Sequence, residues 1–101
     1  MNLFGNNKDG ERWAIFYHPL VKKDIESLDK KTLERFKMAV SGKLSIDPVF
    51  YGSPLHGSLK KYFKLRIGDF RVVYSFSGKS VFIWLVAHRK DVYKIAINRF
   101  S

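Results

Sequence analysis

Cysteine is absent from the 101 residues, so neither a disulfide framework nor thiolate chemistry is open to this chain, which suits a reducing compartment. Acid is scarce too, with nine Asp/Glu against nineteen Lys/Arg and a formal charge of +10. No apolar run is long: Val81 to Ala87 is the longest, far short of the roughly 20 residues that span a bilayer, so no membrane partner is expected. Met1 to Gly10 is polar and rich in Asn and Gly, where a signal peptide would need an apolar core, and the cytoplasm is the expected location. The three histidines, His18, His56 and His88, are scattered, and no carboxylates pair at ligand spacing, so neither a metal nor a cofactor is expected. Glycine-rich phosphate loops, nucleophile elbows and two-carboxylate sites are also lacking.

What is present is positive charge, unevenly spread. Met1 to His56 holds nine Lys/Arg against seven Asp/Glu, a net of +2; Gly57 to Ser101 holds ten against two, a net of +8. A field of that sign calls for a nucleic acid, an acidic protein, or both as partners.

The basic half is built on one hairpin. Residues 62–74 read as two alternating strands joined at Gly68-Asp69, a pair suited to a two-residue turn. In that register Ile67 faces Phe70, Leu65 faces Val72 and Phe63 faces Tyr74, which makes one side apolar. Lys64, Arg66 and Arg71 fall on the other, with Arg66 directly across from Arg71. Opposed like charges weaken a sheet, so the arrangement suits a polyanion rather than the fold. A solvated face of long cationic stems is the plainer reading of any one of them.

The remaining elements follow in order. Residues 1–11 read as a flexible leader, and 12–101 as a single domain. Arg12 to Tyr17 alternates as a first strand. His18-Pro19 opens a helix with Val21, Ile25 and Leu28 as its buried stripe, while Lys22, Lys23, Asp24 and Glu26 face water. Asp29 caps a second helix carrying Leu33, Phe36, Val40 and Leu44, which ends before Asp47-Pro48. Val49 to Gly57 reads as a loop, because Gly52, Pro54 and Gly57 punctuate it.

Beyond the hairpin, a turn at Gly78-Lys79 leads into Ser80 to His88, apolar on both faces like a central strand. That register puts Val81, Ile83 and Leu85 under the helices, and Phe82, Trp84, Val86 and His88 on the cationic face. A last helical turn after Asp91 packs Val92, Ile95 and Ala96. The fold predicted is α+β: a two-helix hairpin on one face of a mainly antiparallel sheet of about four strands, order β-α-α-β-β-β, with a short C-terminal helical tail and the other face partly open.

Cations, a histidine and a phenol can together perform metal-independent RNA cleavage, in which the 2′-hydroxyl attacks the adjacent phosphorus. Lys64, its ammonium repelled by Arg66 and Arg71, is the candidate base. Arg71 would hold the phosphorane charge. His88, with Arg89 beside it, would protonate the departing 5′ oxygen. Tyr93 and Tyr62 would stack on unpaired bases, and Lys60, Lys61, Arg66 and Lys90 would take further phosphates. Plainer readings stand beside these: His88 as a hydrogen-bonded rim residue, Tyr93 as core, His56 as a loop residue near enough to touch a substrate. A passive RNA-binding module would account for the charge alone.

The run LKKYFKLRIGDFRVVYSF, followed by a strand ending VAHRKDVY, resembles the RelE/ParE superfamily of bacterial type II toxin–antitoxin toxins, over Arg12 to Ile97. The resemblance implies a toxin that cuts mRNA in the ribosomal A site and is neutralised by an acidic antitoxin encoded beside it. Lys64, Arg71, Arg89 and Tyr93 match positions that RNA-cleaving members use, and His88 matches a histidine of one branch. Two departures accompany the match: Tyr62 replaces a second catalytic lysine of RelE, and the stretch Arg89 to Tyr93 is shorter. ParE-like members of the same fold inhibit DNA gyrase and cleave nothing, which is the alternative.

Overall fold

A computed structural model describes residues 11–100. Apart from Glu11, the leader expected over 1–11 lies outside the described residues. Five strands, β1 (Ala14–Tyr17), β2 (Ser53–Pro54), β3 (Phe63–Ile67), β4 (Phe70–Ser77) and β5 (Ser80–His88), form one sheet in the order β1-β5-β4-β3-β2. β1 runs parallel to β5, and the other pairings are antiparallel. The helices are α1 (Val21–Glu26), α2 (Lys30–Ala39), α3 (Pro48–Tyr51) and α4 (Val92–Phe100); a π turn, Val40–Leu44, extends α2.

The helix hairpin forms for the local reasons expected. The Asp29 carboxylate accepts from the Thr32 amide at 2.8 Å and so caps α2. Val21, Ile25, Leu28, Leu33, Phe36, Val40 and Leu44 then meet Leu65, Ile67, Val72, Tyr74, Val81 and Ile83 in the larger core, on one side of the sheet. The hairpin register is also as expected: Ile67 pairs with Phe70, Arg66 with Arg71 and Phe63 with Tyr74. Gly68 has φ +67° and, among the described residues, no non-glycine residue has positive φ, so a turn with its left-handed residue first joins β3 to β4; Gly78, at φ +61°, does the same before β5.

Four features depart from the expected fold. Val49 to Gly57 is no simple loop: Asp47 accepts from the Phe50 amide at 3.0 Å and caps α3, and β2 follows as an edge strand on β3. The C-terminal segment is a nine-residue helix. Its Val92 and Ala96 cover Leu55, Leu59, Val73, Leu85 and Ala87 in a second core on the face expected to stay open.

The third departure is a bulge. Val73 pairs with Leu85 but Tyr74 pairs with Ile83, so Trp84 is an extra residue in β5. Beyond it the two faces exchange. Leu85 joins the second core instead of the helix face, and Val86 joins the helix face instead of the cationic one.

The fourth concerns Asp24, expected to face water. β1 ends opposite Ile83, leaving the β5 edge beyond it unpaired. Asp24 accepts from the Val86 amide at 3.0 Å, while Arg99 donates to the Trp84 carbonyl at 3.1 Å. The two side chains also pair with each other at 2.7 and 3.1 Å. Together they substitute for the missing strand and tie α1 to α4.

Candidate RNA-cleaving face

Paired residues in a sheet share a face, and Lys64 pairs with Val73 as Arg66 does with Arg71. Val73 belongs to the core beneath α4, so these three cations stand on the α4 side, beyond the helix's cover. The Arg71 guanidinium bends over the turn and donates from Nη1 to the carbonyls of Gly68 (3.1 Å) and Phe70 (2.9 Å). Burial holds it below an arginine's usual pKa, with the charges of Arg66 and Arg89 acting in the same direction and Asp69 against them. Arg89 is brought there by its own amide, which donates to the Asp69 carbonyl at 2.8 Å.

β2 positions the next group. Its pairing with β3 continues through the Leu55 amide to the Tyr62 carbonyl (2.9 Å), and His56 follows. The Tyr93 hydroxyl oxygen accepts from the His56 amide at 3.1 Å, and the His56 and Tyr93 rings stack at 5.7 Å and 16°. Lys64 Nζ lies 5.8 Å from the centroid of the same phenol ring, within cation–π range. His56, Tyr93 and Lys64 are thus contiguous. On the other side of Lys64 opens a cleft of ≈ 660 Å³, lined by Lys43, Tyr51, Ser53, Lys64, Arg66 and Arg71 among others.

The structure therefore gathers Lys64, Arg66, Arg71, Arg89 and Tyr93 as expected, but not His88. His88 pairs with Phe70, whose ring packs on the larger core and lies 5.4 Å from the imidazole. It points to the helix side, where its Nδ1 accepts from the Lys90 amide at 3.2 Å. The bulge at Trp84 is the reason: without the extra residue, residue 88 would share a face with Arg71. The expected trio of Lys64, Arg71 and His88 on one face is not formed.

Tyr62 is also engaged otherwise, its ring stacked on Phe100 at 4.3 Å and edge-on to Trp84 at 5.9 Å. Lys60, Lys61 and Lys90 are exposed on the turns flanking β3 and β5, outside the cleft. The residue that sequence reasoning undervalued is His56. Its only signal was position, four residues before the first lysine of the cationic run. Among the described residues no group of three His, Asp or Glu could hold a metal, and no helix is long and apolar enough to cross a membrane.

The fold is shared with known toxins. Residues 15–93 match the family described as the ParE toxin of the type II toxin–antitoxin system parDE. The chain belongs to that family, and so is a toxin of a type II toxin–antitoxin system within the RelE/ParE superfamily. Among solved structures it is similar to the toxin–antitoxin complex RelBE2 from Mycobacterium tuberculosis (26% identity, 77% of this chain and 99% of that one, TM-score 0.71). It is also similar to the RelB–RelE complex from Methanococcus jannaschii (17%, 79% and 96%, 0.64). A third likeness is to YafQ from E. coli (18%, 80% and 98%, 0.58). No curated protein matches the chain.

Proposed function

We propose that this toxin is a metal-independent endoribonuclease that cuts mRNA, on the ribosome and in the cytoplasm, and so inhibits translation. The observation that carries the reading is the contiguity of Lys64, Tyr93 and His56 beside the Arg66–Arg71 pair, at the mouth of an open cationic cleft. Lys64 in its neutral form takes the proton of the attacking 2′-hydroxyl. The 2′ oxygen bonds to phosphorus, and Arg71, with Arg66 and Arg89, balances the charge of the pentacoordinate phosphate. The bond to the 5′ oxygen breaks, leaving a 2′,3′-cyclic phosphate and a 5′-hydroxyl. His56 replaces His88 as the donor of the proton that the 5′ oxygen takes up, because it is the histidine stacked on the Tyr93 ring that also meets Lys64.

An acidic antitoxin would neutralise the toxin by ordering over this charge. The solved relatives include complexes with antitoxins, RelB with RelE and DinJ with YafQ.

The test is a translating extract. Added protein should yield mRNA fragments ending in 2′,3′-cyclic phosphate, and Arg71→Ala should slow their appearance about 10²- to 10³-fold. His56→Ala should slow cleavage by about 10²-fold or more, while His88→Ala leaves it within roughly twofold. The reverse ranking of the two histidines would return the proton to His88 and overturn the assignment. The ParE-type family match favours a second reading, a non-catalytic gyrase poison. Intact message together with arrested supercoiling by purified gyrase would establish that one instead.

A further inference from the structure

The cleft does not end at Arg66. A second cleft of ≈ 400 Å³, lined by Arg35, Met38, Gly42, Lys43, Arg66 and Gly68 among others, adjoins it and shares Lys43, Arg66 and Gly68 with the first. One trough thus runs from Lys64, across the end of the β3–β4 hairpin, to the last turn of α2. Lys43 reaches it from the π turn and Arg35 from α2, so a different layer of the fold supplies cations to the same channel as the sheet. Among the described residues, the ion pairs are Lys37 with Glu34 and Arg99 with Asp24; Lys43, Arg66 and Arg35 pair with no carboxylate.

The trough has an internal resemblance. Lys64 Nζ lies 5.8 Å from the Tyr93 ring, and Lys43, which lines the first cleft together with Lys64 and Tyr51, has its Nζ 5.7 Å from the Tyr51 ring. The Arg66–Arg71 pair lines the same cleft. Tyr51 is 40% exposed and is braced edge-on by Phe50 at 5.0 Å. A cation beside an aromatic face, present twice around a cleft that also holds an arginine pair, suits successive nucleotides of a single strand: each phosphate meets a charge and each unstacked base meets a ring. An acidic peptide would use the cations but leave the paired rings unexplained.

We propose that Lys43 and Tyr51 form a second nucleotide subsite, with Lys43 and Arg35 on phosphate and Tyr51 stacked on a base. The ligand is then a single-stranded RNA segment several nucleotides long. This deepens the ribonuclease reading and rests on it for the identity of the strand, but its test needs no cleavage.

Binding of a fluorescent six-nucleotide 2′-O-methyl RNA, which has no attacking hydroxyl, is followed by anisotropy between 50 and 300 mM salt for the full chain. Lys43→Gln should weaken binding severalfold and reduce the slope of log K against log salt by about 0.7, one phosphate contact on a single strand. Tyr51→Leu should weaken binding about tenfold at unchanged slope, and Tyr51→Phe should restore it, since stacking needs the ring and not the hydroxyl. A dinucleotide should bind the parent and Lys43→Gln equally.

An unchanged slope for Lys43→Gln, or Tyr51→Phe as weak as Tyr51→Leu, overturns the subsite even if the protein cuts RNA. So does a Lys43→Gln defect seen with poly-glutamate but not with RNA, which would mark an acidic-peptide surface. Conversely, the expected slopes in a protein that never cuts unmodified RNA would uphold the subsite and remove the ribonuclease reading alone.

Discussion

Gly52 and Tyr74 show how single atoms set the site. Tyr74 is fully buried and donates its hydroxyl to the Pro48 carbonyl at 2.6 Å, fastening α3 to the sheet. A Cβ on Gly52 would run into that hydroxyl and into the Lys64 carbonyl, so β2 reaches β3 only because residue 52 has no side chain. Gly52→Ala should therefore displace the β2 edge that positions His56 and lose RNA cleavage along with stability; wild-type cleavage by this variant would show that β2 does not position the site. Tyr74→Phe leaves the Pro48 carbonyl unpaired and should remove about 1.5 kcal/mol, or roughly 6–12 °C in Tm by thermal denaturation.

The same phenol carries a pH signature. Burial, with the Asp47 charge adding to it, raises the Tyr74 pKa in the folded state, whereas an unfolded tyrosine ionises near its ordinary value of 10.0. Above that value the unfolded chain binds fewer protons at this residue than the native one, so stability falls as pH rises. Urea midpoints should drop from about pH 9.5 upward, and drop less steeply in Tyr74→Phe. Parallel slopes would show that other groups cause the loss.

Among the elements, β5 is decisive. Its extra residue, Trp84, is held by an indole N–H donated to Ser75 Oγ at 2.9 Å, and it sends His88 to one face while Leu85 and Ala87 go to the other. The unpaired edge that follows is satisfied by Asp24 and Arg99, whose side chains are only 13% and 12% exposed. Arg99→Ala strands both the Asp24 carboxylate and the Trp84 carbonyl, and should destabilise by about 3 kcal/mol. Hydrogen exchange should locate the loss in α4 and in residues 84–87. Protection unchanged there would mean that α4 is held by Val92 and Ala96 alone.

At the scale of the whole molecule, charge decides the partner and packing decides where it binds. If Lys43, Lys64, Arg66 and Arg71 each neutralise one phosphate, affinity for single-stranded RNA should fall on the order of 50-fold between 50 and 200 mM salt. A loss of only a few-fold would place the RNA elsewhere.

How far each level could be read from the chain follows from the range of the interactions involved. The hairpin register, both glycine turns, the Asp29 cap and the helix stripes were legible because each depends on residues within a few positions of one another. So was the gathering of Lys64, Arg66 and Arg71, since a two-residue turn fixes which side chains face each other. The bulge left no local mark, because alternation cannot reveal that one residue of an apolar run will be skipped by its partner strand, and His88 was misplaced for that reason. His56 meets Tyr93 across 37 positions, and Arg99 meets Asp24 across 75. Sequence by itself determined the charge, the turns and the α+β plan, all of them short-range or compositional. Tertiary packing decided which histidine joins Lys64 around Tyr93, because only the register of β5 and the docking of α4 bring distant side chains to one face.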